Sequence, residues 1–194
     1  MNGLFRVVVT GGECTGKTTL ALRLAARHGA VAVPEAARLV AEEKRAPLDA
    51  SDVSRIARRH VAQADAAAAE SARRGHRLLV LDTDLLSTVV YARHYYGACP
   101  AWIETDARAR LADLYLLHHP DVPWLPDPAR DRPEGREEIH ALFEEALREF
   151  GARVVDIRGD WEERERLAAA AVAALLRRRP GSDSSGPARN GSSR

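Results

Sequence analysis

The sequence predicts an α/β fold, a five-stranded parallel sheet covered by helices on both faces. Three observations predict it. Five short apolar runs alternate with stretches of helical spacing, the pattern of successive βαβ units. The first of them, Phe5 to Thr10, lacks the in-and-out alternation of a half-exposed strand, so both of its faces are expected to be buried. The first run also passes directly into Gly11-Gly12-Glu13-Cys14-Thr15-Gly16-Lys17-Thr18-Thr19, a glycine-rich turn that opens a helix.

In chain order, Phe5 to Thr10 reads as a central strand, and Leu20, Ala21, Leu24 and Ala25 recur at helical spacing until Gly29. Val31-Ala32-Val33 is a short second strand running into Pro34-Glu35. Ser51 is placed as an N-cap, and Val53, Ile56, Ala57, His60 and Ala64 share one helical face up to Gly75. His60 on that face reads as a packed histidine rather than a ligand. His76 to Leu81 forms a third strand that ends in Asp82-Thr83-Asp84, and helical sequence follows through Tyr91 to Gly97 and from Pro100 to Leu111. Leu114 to Leu117 is the fourth strand. Residues 121 to 136, rich in proline, aspartate and arginine, read as a lid. Ile139, Leu142, Phe143, Ala146, Leu147 and Phe150 make an apolar helical stripe closed by Gly151. Arg153 to Ile157 is the fifth strand. Asp160 and Glu163 suggest a capping box for a last helix whose face is Trp161, Ala168, Val172 and Leu175. One domain therefore spans residues 1 to 179, and residues 180 to 194, a Gly, Ser, Pro and Arg tail, are expected to be disordered.

The glycine turn fits G-x-x-x-x-G-K-[ST] in the strand-to-helix context that a P-loop requires. Backbone N–H groups of Gly11, Gly12, Glu13, Cys14, Thr15, Gly16, Lys17, Thr18 and Thr19 then converge on an anion at the positive end of the helix dipole. Lys17 is placed on the β- and γ-phosphates of ATP, and the Thr18 hydroxyl on Mg²⁺. Composition supports this, because the chain contains one other lysine, Lys44, while arginine is used freely. A compact ammonium is kept where a point charge is needed.

Composition also bounds the function. A net charge of +1 over 194 residues provides no broad basic field, so nucleic acid is not the expected partner. No apolar run reaches the ~18 to 20 residues of a membrane helix, and neither a membrane span nor a signal segment is expected. Cys14 and Cys99 have no metal spacing, so a cytoplasmic protein acting on a small molecule is expected. A homo-oligomer is compatible with this reading.

Ligands of a parallel sheet lie beyond the carboxyl ends of its strands, where the P-loop, Glu35, Asp82, Asp84 and the Asp121 segment all fall. Asp82 is the candidate second Mg²⁺ group, and its neighbour Thr83 is not the water-activating glutamate of motor ATPases. A GTPase base reader is excluded because the asparagines are Asn2 and Asn190. A kinase needs a carboxylate for the acceptor hydroxyl and mobile cations for the transferring charge. Glu35 and Asp84 both qualify as the carboxylate, with Arg38 three residues beyond Glu35. Arg130, Arg132 and Arg136 supply lid cations, Arg130 and Arg136 being the leading catalytic candidates.

The P-loop, Pro34-Glu35-Ala36-Ala37-Arg38, Asp82-Thr83-Asp84 with Thr88 and Tyr91, and Asp121-Val122-Pro123-Trp124 occur in the order found in ribosylnicotinamide kinases. Over residues 5 to 175 the chain resembles the NadR-type kinase domain of the P-loop NTPase superfamily. It departs from that pattern at Cys14, usually serine, and at Ala36, usually aromatic. The resemblance implies a P-loop nucleoside/nucleotide-kinase-like three-layer sandwich using ATP and Mg²⁺ and a kinase acting on nicotinamide riboside; the DNA-binding and adenylyltransferase modules of the bifunctional regulator have no counterpart here, so a stand-alone kinase is expected. It places the riboside between Glu35, Arg38, Asp84, Tyr91 and Trp124, with Trp124 or a nearby tyrosine stacked on the pyridinium ring. Two alternatives stay open, a kinase for another nucleoside or small alcohol and an ATP-binding regulator without turnover.

Overall fold

A computed structural model of the protein describes residues 3–122 and 135–177. Most of the expected lid, with Trp124, Arg130 and Arg132, lies outside the described residues, as does the tail from residue 180.

Five strands form one parallel sheet in the order β2-β3-β1-β4-β5. They are β1 (Phe5–Gly11), β2 (Val31–Val33), β3 (Leu78–Asp82), β4 (Leu114–His118) and β5 (Val154–Ile157). Central β1 pairs Phe5 with Leu78 on one side and Val7 with Leu114 on the other, so its carboxyl end opens in the middle of the rim. The period of two sends Val7 and Val9 to one face and Val8 to the other. Val7 and Val9 pack under α1 (Lys17–Arg27) and α7 (Trp161–Arg177), with Leu20, Leu24, Ala168 and Val172. Val8, Leu79, Tyr115 and Leu117 pack under α3 (Val53–Arg74), α4 (Leu85–Tyr96), α5 (Ala101–Ala109) and α6 (Arg136–Phe150). This is the expected three-layer sandwich. Short α2 (Ala36–Lys44) closes a small cluster of Ala36, Val40 and Ile56 beside it.

Helix ends follow local chemistry, with two differences from expectation. Gly75, Gly97 and Gly151 terminate α3, α4 and α6 in the left-handed conformation. Ser51 is not the cap of α3: the N-cap position is Asp52, and the capping side chain is that of Asp49, one turn earlier. Its carboxylate accepts from Ser51 N while Asp52 accepts from Asp49 N, closing a 3₁₀ turn over Ala50–Asp52. Before α7, Glu163 N donates to Asp160 Oδ1, but the Glu163 carboxylate pairs with Arg166. No helix among the described residues is long and apolar enough to cross a membrane.

Candidate active site

The loop between β1 and α1 is held by sterics before any ligand is considered. At Gly11, with φ 120°, a Cβ would lie 2.7 Å from the His118 carbonyl oxygen on adjacent β4. At Gly16, with φ 84°, it would lie 2.8 Å from the Trp161 ring at the start of α7. Both positions demand glycine. The Thr15 hydroxyl and Lys17 Nζ donate to the Gly12 carbonyl at 3.0 and 2.6 Å, so the loop curls upon itself.

Across the rim, the Thr18 hydroxyl donates to Asp82 Oδ2 at 2.6 Å. Asp82 is 4% exposed, and its Oδ1 is buried without a hydrogen-bond partner among the described residues. Burial raises its pKa; the Thr18 hydrogen bond opposes that shift, and the negative charge of Glu35 adds to it. Two hard oxygens, one lacking a partner, fit Mg²⁺, which takes one or two protein oxygens and completes its shell with water and phosphate. Consistently, no group of three or more His, Cys, Asp or Glu among the described residues could hold a metal by itself.

Asp82 and Asp84 point in different directions because Thr83 between them adopts φ 66°, an unusual conformation for a β-branched residue. Asp84 Oδ1 accepts from Leu86 N and Ser87 N, capping α4. Its Oδ2 accepts from the Tyr115 hydroxyl at 2.6 Å. Burial pushes the Asp84 pKa up to about 6 against the lowering effect of those three bonds. The two carboxylates therefore occupy different environments, one at the P-loop and one in the layer beneath α4.

Glu35 is the N-cap residue of α2 without donating or accepting a side-chain cap bond, and it forms an ion pair with Arg38 at 3.7 Å. Both lie close enough to Asp82 to perturb its charge. Tyr91, on α4, packs edge-on against Phe143 of α6 and stacks with Tyr95. Arg136 begins α6, whose Ile139 would meet a Cβ on Gly12 at 3.5 Å. Its Nη1 donates to the Val122 carbonyl at 2.9 Å, while buried Nε and Nη2 have no hydrogen-bond partner among the described residues. The rim thus carries the P-loop, Thr18, Asp82, Glu35, Arg38 and Arg136, with Asp84 turned inward. Glu13 in the loop and Thr19 in the first turn of α1 are exposed, and Cys14 is partly buried with φ 55°.

Sequence reasoning missed Trp161 as a P-loop contact and missed His118 and Arg164 altogether. Arg164 had a readable signal. It falls in register with Ala168, Val172 and Leu175, so an arginine sits on the buried face of an amphipathic helix.

A family model described as AAA domain matches residues 6–164. The chain belongs to the AAA domain family. A crystal structure of NadR protein in complex with NR is 26% identical with a TM-score of 0.71, over 88% of this chain and 49% of that one. A second NadR structure, with NAD and AMP-PNP, gives 26% identity and a TM-score of 0.69 over the same shares. The chain spans about half the length of those NadR chains. Thymidylate kinase from Ehrlichia chaffeensis is 17% identical with a TM-score of 0.62, over 89% of this chain and 99% of that one, a likeness of fold alone. The kinship with a NadR-type kinase domain expected from the motifs is thereby found, and the chain is a nucleotide-binding P-loop enzyme of the kinase/ATPase type.

Proposed function

We propose that the protein transfers the γ-phosphoryl group of ATP to the 5′-hydroxyl of nicotinamide riboside, forming nicotinamide mononucleotide and ADP in the cytoplasm. The observation that carries this reading is the Glu35 and Arg38 pair, set across the rim from Thr18 and Asp82 in a chain that shares its fold with NadR solved with NR. The P-loop and Lys17 hold the triphosphate, and Thr18 and Asp82 would hold Mg²⁺, which supplies charge neutralisation on the phosphates. Glu35 accepts the proton as the 5′-oxygen bonds to the γ-phosphorus and the bond to the β-bridging oxygen breaks. Asp84 is not assigned this role, because its own chain engages both of its oxygens. Arg136 steadies the transferring charge with the guanidinium edge that has no hydrogen-bond partner among the described residues, and Arg38 and Tyr91 line the acceptor side. Arg130 and Trp124 belong to the same proposal as lid cation and ring-stacking wall.

The test is incubation with ATP, Mg²⁺ and a panel of nucleosides and small alcohols, followed by chromatography. Nicotinamide mononucleotide as the main product is the expected result. Transfer only to other acceptors, or saturable ATP binding with no transfer to any of them, would overturn the assignment.

A further inference from the structure

Arg164 is fully buried, yet every hydrogen bond it donates goes to a loop that borders the nucleotide site. Its Nε donates to the Gly159 carbonyl at 2.9 Å, in the turn between β5 and α7. Its Nη2 donates to the His119 carbonyl at 3.1 Å and to the Asp121 carboxylate, both just beyond β4. Its Nη1 reaches the Thr15 carbonyl, inside the P-loop, at 3.4 Å. The same carbonyl accepts from His118 Nδ1 at 2.8 Å. A carbonyl can only accept, so Nδ1 carries the hydrogen, and the Nη1 to Nδ1 approach of 3.3 Å is a packing contact between two donors. Burial above all holds the His118 pKa down to about 3, so the ring is neutral and keeps that tautomer.

We infer that Arg164 is a positioning residue for the nucleotide phosphates, acting through the Thr15–Gly16 peptide. The oxygen of that peptide faces two donors, and its N–H belongs to Gly16, which caps α1. Donors on the oxygen fix the plane of the peptide and polarise it, making the Gly16 N–H a stronger donor to an anion. Arg164 also places a cation beneath the loop, balanced by the half-exposed Asp121 carboxylate rather than by a buried one. Because Arg164 bonds the Gly159, His119 and Asp121 backbone or side chain as well, loss of its charge loosens the loop while leaving the sheet core of α7, Ala168, Val172 and Leu175, in place.

This inference rests on the P-loop holding phosphates and not on the identity of the acceptor, so the test reads binding rather than transfer, with the riboside as the comparison ligand. Binding of ATP·Mg²⁺, of tripolyphosphate and of the riboside is measured by calorimetry for the wild type, Arg164→Met and Arg164→Lys. Methionine keeps much of the stem and removes every donor; lysine keeps the charge and part of the bonding. The expected result is at least ~10-fold weaker binding of ATP and tripolyphosphate by Arg164→Met, unchanged riboside binding, and partial recovery in Arg164→Lys, each tenfold step corresponding to about 1.4 kcal/mol. Unchanged phosphate affinity in Arg164→Met, or an equal loss for the riboside, overturns the role of Arg164. A wild type that binds neither ATP nor tripolyphosphate overturns the phosphate-site reading itself. If Arg164→Met does not fold, Arg164→Lys decides alone: a loss confined to the phosphate ligands supports the role, and wild-type affinity refutes it.

Discussion

At the scale of single residues, three substitutions separate the groups at the rim. Lys17→Ala is expected to lower phosphoryl transfer at least ~100-fold, the effect of losing one preorganised charge contact. Near-wild-type turnover in that variant would contradict the P-loop assignment. Glu35→Gln should lose most activity while Asp84→Asn retains it, and the reverse ranking in a steady-state assay would move the base to Asp84. Asp84→Asn also tests the buried carboxylate. With a folded pKa near 6 against an ordinary 3.8, Asp84 holds its proton more tightly in the fold, so its contribution is present at low pH and lost as pH rises from about 4 to about 6. Relative to the wild type, Asp84→Asn should therefore gain about 3 kcal/mol across that window, the free energy of ionising the carboxyl inside the fold rather than in water. A constant difference in urea-unfolding free energy between pH 4 and pH 7 would show that Asp84 is not strained by its charge. The sequence displayed both aspartates but not their divergence. That depends on Thr83 at φ 66°, and threonine has no intrinsic preference for the left-handed region.

Secondary-structure elements were the most legible level. Buried parallel strands are marked by continuous apolar runs and helix ends by glycine, and both signals survive folding because they reflect backbone sterics and burial on two faces. The expected apolar stripe of α6 is found with Phe143, Ala146, Leu147 and Phe150 buried. The positioning of α6 matters to the site, since its first turn bears Arg136. Phe143, fully buried and edge-on to Tyr91, is one of its anchors. Phe143→Ala should cost about 3 to 5 kcal/mol in chemical unfolding, by lost burial and a residual cavity. A loss below about 1 kcal/mol would mean that α6 is seated by other contacts. Less legible were contacts between elements distant in sequence. Trp161 meets Gly16 and Arg164 meets Thr15 only after α7 has crossed back to α1, and no local pattern encodes that meeting.

Across the whole molecule, histidines set the response to acid. Burial lowers the pKa of His60 to about 4 and of His118 to about 3, and also lowers those of His28 and His140. Each is depressed in the fold, so the unfolded chain takes up protons first; the stability is full above about pH 6.5 and is lost as pH falls below it. Asp82 and Asp84 act in the opposite sense, yet between pH 7 and pH 5 two deeply buried histidines outweigh one carboxyl titrating near 6. The urea midpoint of the wild type should therefore fall from pH 7 to pH 5. A rise over that interval would mean that the carboxylates dominate.

The central placement of β1 also has a consequence for how the chain assembles. Its partners are Leu78 on one side and Leu114 on the other, far along the sequence, so it acquires neighbours only after long loops have closed. Such non-local pairing is slow, and the loop closure precedes any reward from contact. The glycine turn at the end of β1 is synthesised before His118 and Trp161 but takes its shape only once they have arrived beside Gly11 and Gly16. Nucleotide capture during refolding would then lag behind the appearance of helix, and act as a clock for the completed sheet.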